Sequence, residues 1–187
     1  MKVRIVLFLL ALFMCLVSVS QIPAEELTGE EEFPPMPRQF RELALGMSLD
    51  ALRYSLTQDR LFRFRGDRDV SFLPVRQETL VETTGNSFIR RAHFQLVDGE
   101  VFIMSFTLDT RLIDHHTMFM TLVNRYGQPI ILNPSEAVWE DYYTRVSIER
   151  PLTIKYIDRT VFDRLREEAR TIQDWETLSR EEFLAEF

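Results

Sequence analysis

Between Phe88 and Leu108 apolar and polar residues alternate in two runs separated by Val97-Asp98-Gly99, the pattern of an antiparallel hairpin with one buried face. Two registers compete. A two-residue Asp98-Gly99 turn would pair Gln95 with Phe102, His93 with Met104 and Arg91 with Phe106, mixing polar and apolar groups on one face. A three-residue Val97-Asp98-Gly99 loop, with Gly99 left-handed and bulged, pairs Phe94 with Phe102, Ala92 with Met104 and Phe88 with Leu108. One face is then apolar apart from Arg90, and a slip of one residue would reverse the faces, so the second register is the expectation. The other face carries Arg91, His93, Gln95, Ser105 and Thr107, interrupted by Ile89, Val101 and Ile103. A half-wet sheet of this kind predicts an α+β fold, an antiparallel sheet with helices packed on one face.

Elsewhere the pattern changes period. Ser48 is placed to cap a helix whose Leu49, Leu52 and Leu56 share a face, with Gly46 before it. Leu61–Phe64, Val70–Val75 and Glu78–Thr84 read as strands, the first two around a Gly66-Asp67 turn. After the hairpin, Asp114 caps a helix with Phe119, Leu122, Val123 and Tyr126 at i, i+3, i+4, i+7, and Gly127 and Pro129 end it. Val138–Glu140, Thr144–Glu149 and Leu152–Ile157 form a second set of strands, with Val146, Ile148, Ile154 and Tyr156 buried and Arg145, Ser147 and Glu149 outward. Thr160 is the expected cap of a helix to about Thr171, with Val161, Leu165, Ala169 and Ile172 inward. A last helix spans about Asp174 to Glu186, with a break near Ser179-Glu182, which have capping-box spacing.

Helix then strands, twice, is a tandem pseudo-repeat. Within it, Leu45-Gly46-Met47-Ser48-Leu49-Asp50-Ala51-Leu52 resembles the Gly-Met-Ser/Thr helix opening of the SmpA/OmlA (BamE-like) small envelope proteins. That fold is shared in outline with the β-lactamase inhibitor proteins, which carry two helix-plus-sheet units. The resemblance implies a scaffold or binding role in the cell envelope.

The N-terminus bears on the same point. Lys2 and Arg4 precede an apolar run from Ile5 to Val17, and Ser18-Val19-Ser20 places small residues before Gln21, so residues 1–20 read as a signal peptide. The alternatives are an uncleaved membrane anchor, for which Ser18, Ser20, Gln21 and Pro23 make a poor span, or lipidation at Cys15, where Leu12-Phe13-Met14 is bulky for a lipobox. Residues 21–39, rich in Glu and Pro, read as a disordered tether, and residues 40–187 as one α+β domain including C-terminal helices. Export, periplasmic or secreted, is the expected localisation.

Cys15 is the only cysteine, so a chain starting at Gln21 has no disulfide, Cys nucleophile or Cys metal site. The full chain carries 22 Lys and Arg against 29 Asp and Glu, net −7; without Lys2 and Arg4 it is −9. That balance argues against nucleic acid and against anionic membrane surfaces, leaving only the signal or anchor segment to meet a membrane.

Chemistry is sparse. His115 and His116 are adjacent and point apart on a helix, and His93 sits on the mixed hairpin face, so no metal site is expected. Glu140-Asp141 alternate across a strand, the wrong geometry for two carboxylates on one bond. No nucleophile elbow, phosphate loop or zinc-protease spacing occurs, so no catalytic, cofactor-binding or metal residues are assigned and no cofactor is expected. Arg65-Gly66-Asp67 spells an integrin-type tripeptide but is what a strand turn recruits. The aromatic runs are Trp139, Tyr142 and Tyr143, expected to pack in a strand, and Trp175, Phe183 and Phe187, expected to dock the chain-end helix back on the sheet; the alternative reading makes these the candidate partner-contact residues. The expected function is an exported non-enzymatic protein-binding or scaffolding module of the bacterial cell envelope with an envelope protein partner. The alternative is a binder of a small apolar or glycan ligand in the concavity between sheet and helices.

Overall fold

Two meanders of four strands, each led in by a helix, share one sheet. The computed structural model describes residues 35–73 and 78–185; the expected signal peptide and residues 21–34 of the expected tether lie outside the described residues. A ribbon of β1 (Gln39–Phe40) and β2 (Leu43–Ala44) leads into α1 (Leu49–Gln58), then β3 (Val70–Leu73), β4 (Glu78–Thr84), β5 (Ile89–Val97) and β6 (Glu100–Leu108). The second unit is α2 (His115–Tyr126), β7 (Ile131–Leu132), β8 (Glu136–Glu140), β9 (Thr144–Glu149) and β10 (Thr153–Asp158), and α3 (Arg159–Ala185) follows. The sheet order is β3-β4-β5-β6-β10-β9-β8-β7 with antiparallel neighbours throughout. The fold is α+β, as the patterning predicts, and the helix-plus-strands unit occurs twice.

The joint between units is β6 against β10, the fourth strand of each, with Phe106 opposite Ile154 and Met104 opposite Tyr156. Equivalent strands that meet antiparallel relate the units by an approximate two-fold axis normal to the sheet. Such a rotation keeps both helices on one face. Accordingly Leu52 and Leu56 of α1 and Leu122 and Tyr126 of α2 join one core with Phe94, Met104, Phe106, Ile148 and Tyr156. Both helices begin as their sequences demand: Ser48 Oγ accepts from the Ala51 N–H at 3.3 Å and Asp114 Oδ1 from the Thr117 N–H at 2.9 Å.

The hairpin turn corrects the expected loop. Val97 pairs with Glu100, and Asp98 (φ 53°) and Gly99 (φ 80°) both take positive φ, as a type I′ turn requires. Two bulges then reset the register. Gln95 pairs with Ile103 but Leu96 with Val101, so Phe102 is an extra residue on β6; Ile89 pairs with Leu108 but Arg91 with Thr107, so Arg90 is extra on β5. Phe94 therefore faces Met104 and Ala92 faces Phe106, two residues away from the expected pairs but on the expected face. The bulges also sort side chains. Arg90 is expelled to solvent, Ile89 replaces the exposed Phe88 in the core, and Val101 joins the core cluster.

Other expectations shift for identifiable reasons. Leu61–Phe64 makes one bridge, Phe62 to Gly85, instead of a strand. Ser147, expected outward, is buried. The cap of α3 is Asp158, whose Oδ1 accepts from the N–H groups of Thr160 and Val161 and from the Thr160 hydroxyl, so Thr160 is the second helical residue. The two expected C-terminal helices are one 27-residue helix. No Gly or Pro interrupts it, and Ser179 within a run of helix formers costs too little to break it. Among the described side chains of α3, Arg159, Val161, Phe162 and Leu165 are half-buried; Ala169 and Ile172, expected inward, are exposed. The expected tether is shortened at its C-terminal end, because two strand-end carboxylates capture it: Asp141 accepts from the Met36 N–H at 2.8 Å, and Asp158 binds the Arg38 guanidinium. Met36 and Phe40 then pack against the core.

Two measurements check this reading. A Cβ at Gly85 would lie 2.3 Å from the Ile89 carbonyl oxygen, whereas one at Gly99 meets nothing within 4 Å and suffers only from its φ. Urea unfolding should therefore show Gly99→Ala destabilised by about 1–2 kcal/mol, the left-handed penalty, and Gly85→Ala by more, because backbone must move. The second concerns Asp158. Burial opposes its ionisation, but the Thr160 hydroxyl and Arg38 overcome that and hold its carboxyl below the ordinary 3.8. A carboxylate with a lowered folded pKa stabilises above its unfolded value and loses that contribution as pH falls through the folded value. The stability gap between the wild type and Asp158→Asn, measured by urea unfolding, should be present at pH 7 and close below pH 3.8; a gap unchanged at pH 3 would refute the pairing.

Candidate functional site

A helix over each half of the sheet leaves a valley above the joint, and the chain fills only one end of it. Met36 to Phe40 cross the Asp141 and Asp158 end, bringing the Phe40 ring to 4.6 Å from that of Phe106. At the other end a half-open apolar pocket of about 190 Å³ remains. Its floor is Phe106 and Leu108 of β6 with Ile154 and Tyr156 of β10; Ile89, Leu61 and Met118 wall it, and Phe40, Phe88 and Ile113 edge it. Among the described residues the only lining side chain with an oxygen or nitrogen is Tyr156, whose phenol is pushed up to about 12 by burial and then by neighbouring Tyr126. A sugar would find one hydroxyl to pair with, so the lining favours the apolar half of the ligand expectation over the glycan half.

The edge of the cavity is held by Asp109, which the sequence reading missed. Its N–H donates to the Phe88 carbonyl at 2.9 Å and its carbonyl accepts from the Ile113 N–H at 3.1 Å, so one residue places two of the edge side chains. Its carboxylate is clasped by the Arg111 guanidinium, Nε to Oδ1 at 3.0 Å and Nη2 to Oδ2 at 2.5 Å, which holds it far below the ordinary carboxylate range. The signal was present as Asp-x-Arg directly after a strand, a turn-forming acid with a cation two residues on.

A second concavity, a half-open cleft of about 460 Å³, lies at the start of α2 and is lined by His115, His116, Asn133, Glu136 and Arg150 among others. His115 Nε2 is buried without a hydrogen-bond partner among the described residues. Burial first, and then the charge of Arg150, lower its pKa from 6.5, which favours the neutral imidazole. Asp114 is occupied by Thr117, its Oδ2 accepting from the hydroxyl at 2.6 Å. Among the described residues no three His, Cys, Asp or Glu are grouped to hold a metal ion.

The predicted contact residues separate into three environments. Trp139 is not a surface anchor: it is buried, its ring 6.0 Å from Phe119 and its Nε1 donating to the Gly127 carbonyl at 2.8 Å. The indole thus ties β8 to the C-terminal end of α2, a packing role that explains a large amphipathic ring in a strand. Tyr142 and Tyr143 are in the β8–β9 turn and not in a strand; they are 77% and 57% exposed and meet edge to face at 4.7 Å. Trp175 and Phe183 lie exposed on α3, and Phe187 lies outside the described residues. Tyr143 touches the start of α3 through the Arg159 N–H, 2.9 Å from its carbonyl, whereas Trp175 is about 24 Å further along the helix axis. The two aromatic sites are therefore separate. Arg65-Gly66-Asp67 is engaged within the domain, Arg65 with Asp69 at 2.6 Å and Asp67 with Arg53 at 2.7 Å.

The chain matches no curated protein and no solved structure. The model of one family, the TP0088 domain, matches residues 38–168. That span opens at Arg38, the residue that anchors the N-terminal segment to Asp158, and closes within α3 just past its half-buried first turns. It takes in both helix-plus-strands units and covers most of the chain, which therefore belongs to the TP0088 domain family.

Proposed function

We propose that this chain is an exported, non-enzymatic protein-binding or scaffolding module of the bacterial cell envelope, and that α3 is the element it presents to an envelope protein partner. The supporting observation is the helix itself. From Arg166 to Leu184 every described side chain is exposed, including Ile172 at 60% and Trp175 at 68%. A helix of that length draws little stability from propensity alone, since most helical stability in proteins comes from packing an apolar face. Exposed large apolar groups along it are the mark of a surface completed by something else. The Gly46-Met47-Ser48 helix opening and the apolar run from Ile5 to Val17 support export and an envelope setting on the grounds given by the sequence.

Photo-cross-linking in intact cells tests the proposal. A photoreactive residue at Ile172 or Trp175 should give one adduct of common mass, and the same residue at Tyr54, exposed on α1, should not. With the partner purified, Trp175→Ala should weaken binding by about 30-fold, the scale of a hot-spot aromatic. Adducts that are absent at both α3 positions, or identical at Tyr54, would overturn the assignment. An exported chain recovered from the same cells should begin near Gln21 by mass spectrometry.

A further inference from the structure

The cavity above the β6–β10 joint is distinct from α3 and calls for its own occupant. Water is a poor one. The pocket is half open, so water reaches it, but a water molecule there finds one hydroxyl where it needs two to four polar partners, and an apolar ligand that displaces it buries apolar surface. Its volume of about 190 Å³ is close to that of apolar cavities, about 150 Å³, that accept benzene. A charged ligand is equally disfavoured, because no lining residue is charged and a buried unpaired charge is expensive. A long chain does not fit the volume. The edge, in contrast, is suited to passage: Phe88 is 49% exposed at the end of the Gly85–Phe88 turn, and Ile113 is half-buried on the loop that Asp109 organises.

We propose that this cavity is a binding site for a small uncharged apolar molecule, the size of a substituted benzene, entering past Phe88 and Ile113 and resting on Phe106 and Tyr156. Its walls come from both repeat units and from the N-terminal segment, so an occupant contacts all three at once. Ligand binding to the folded state alone raises stability by mass action, so occupation is visible as a higher melting temperature.

The test uses the full-length chain with ¹³C-labelled methyl groups and toluene as the probe. Toluene should shift the methyl signals of Ile113, Met118 and Ile154 saturably, leave that of the distant Val138 unmoved, and raise the melting temperature by a few degrees. Benzoate, the same ring with a charge, should do neither at equal concentration. Leu61→Phe and Met118→Phe, each filling the space from a half-buried wall position, should reduce toluene affinity at least tenfold while melting cooperatively. The site is refuted if the three methyl signals do not move, if methyl signals move throughout the protein alike, if benzoate matches toluene, or if a folded filled variant binds toluene as tightly as the wild type. Should neither variant fold, the methyl map and the benzoate comparison decide the matter, and none of these outcomes depends on whether α3 has a protein partner.

Discussion

The pairing of β6 with β10 is the contact on which the rest of the molecule depends. Each unit alone is a four-stranded meander with a single helix, and its last strand would be an open edge with unpaired N–H and C=O groups. Joining the two last strands removes both edges and makes one sheet of eight. It also dictates where everything else goes. Because equivalent strands meet antiparallel, α1 and α2 are carried to the same face, and the aromatic side chains at the joint become the centre of one shared core: Phe106 contacts Phe40, Phe62, Phe94 and Tyr156.

That arrangement creates the valley and the need to fill it. Two helices over the two halves of a sheet cannot both cover its middle, where Met104, Phe106, Ile154 and Tyr156 lie. Two helix-plus-strands units in one sheet give two covers and one gap. The segment from Met36 to Phe40 closes the gap from outside the repeat, held by Asp141 and Asp158 at the strand ends. Its reach ends at Phe40, and the remaining length of valley is the cavity. The cavity is thus a consequence of topology, and its apolar lining follows because those positions face the core side of β6 and β10.

Much of this was legible in the sequence and some was not, for physical reasons. Period-two alternation assigned most of the buried face of β5, β6, β9 and β10, since burial is what the pattern records, but it put Ile89, Val101 and Ser147, all buried, among the outward positions. It could not fix the hairpin register, because a bulge changes pairing by one residue while preserving most of the alternation, and two bulges, at Phe102 and Arg90, together hid the two-residue turn. Helix starts at Ser48 and Asp114 were readable because caps are local, and the same locality misled at Thr160, where the preceding Asp158 is the better acceptor. Of the candidate site residues, Tyr142 and Tyr143 were readable as a pair but not as a turn, and Trp139 carries no sequence mark that separates a core indole from a surface one. A concavity between sheet and helices was the sequence's alternative expectation. Its edge was not legible, because Asp109 acts through backbone hydrogen bonds to Phe88 and Ile113, which no side-chain pattern encodes.

The way α3 leaves the domain bears on how it can act. A helix hinged loosely to a domain would pay orientational entropy on binding a partner, a cost that rigid presentation reduces. The root of α3 is fixed by the Asp158 cap, the Arg159 N–H on the Tyr143 carbonyl, the half-buried Val161, Phe162 and Leu165, and the ion pair of Arg164 with Asp98 in the β5–β6 turn at 3.0 Å. The same Asp158 carboxylate also holds Arg38. The segment that enters the domain and the helix that leaves it are therefore secured at one buried acid, beside Tyr143 and the exposed Tyr142. Aligning α3 and positioning the segment that fills the valley are one structural problem solved once, so a substitution at Asp158 disturbs the direction of the helix and the packing of Met36 and Phe40 together.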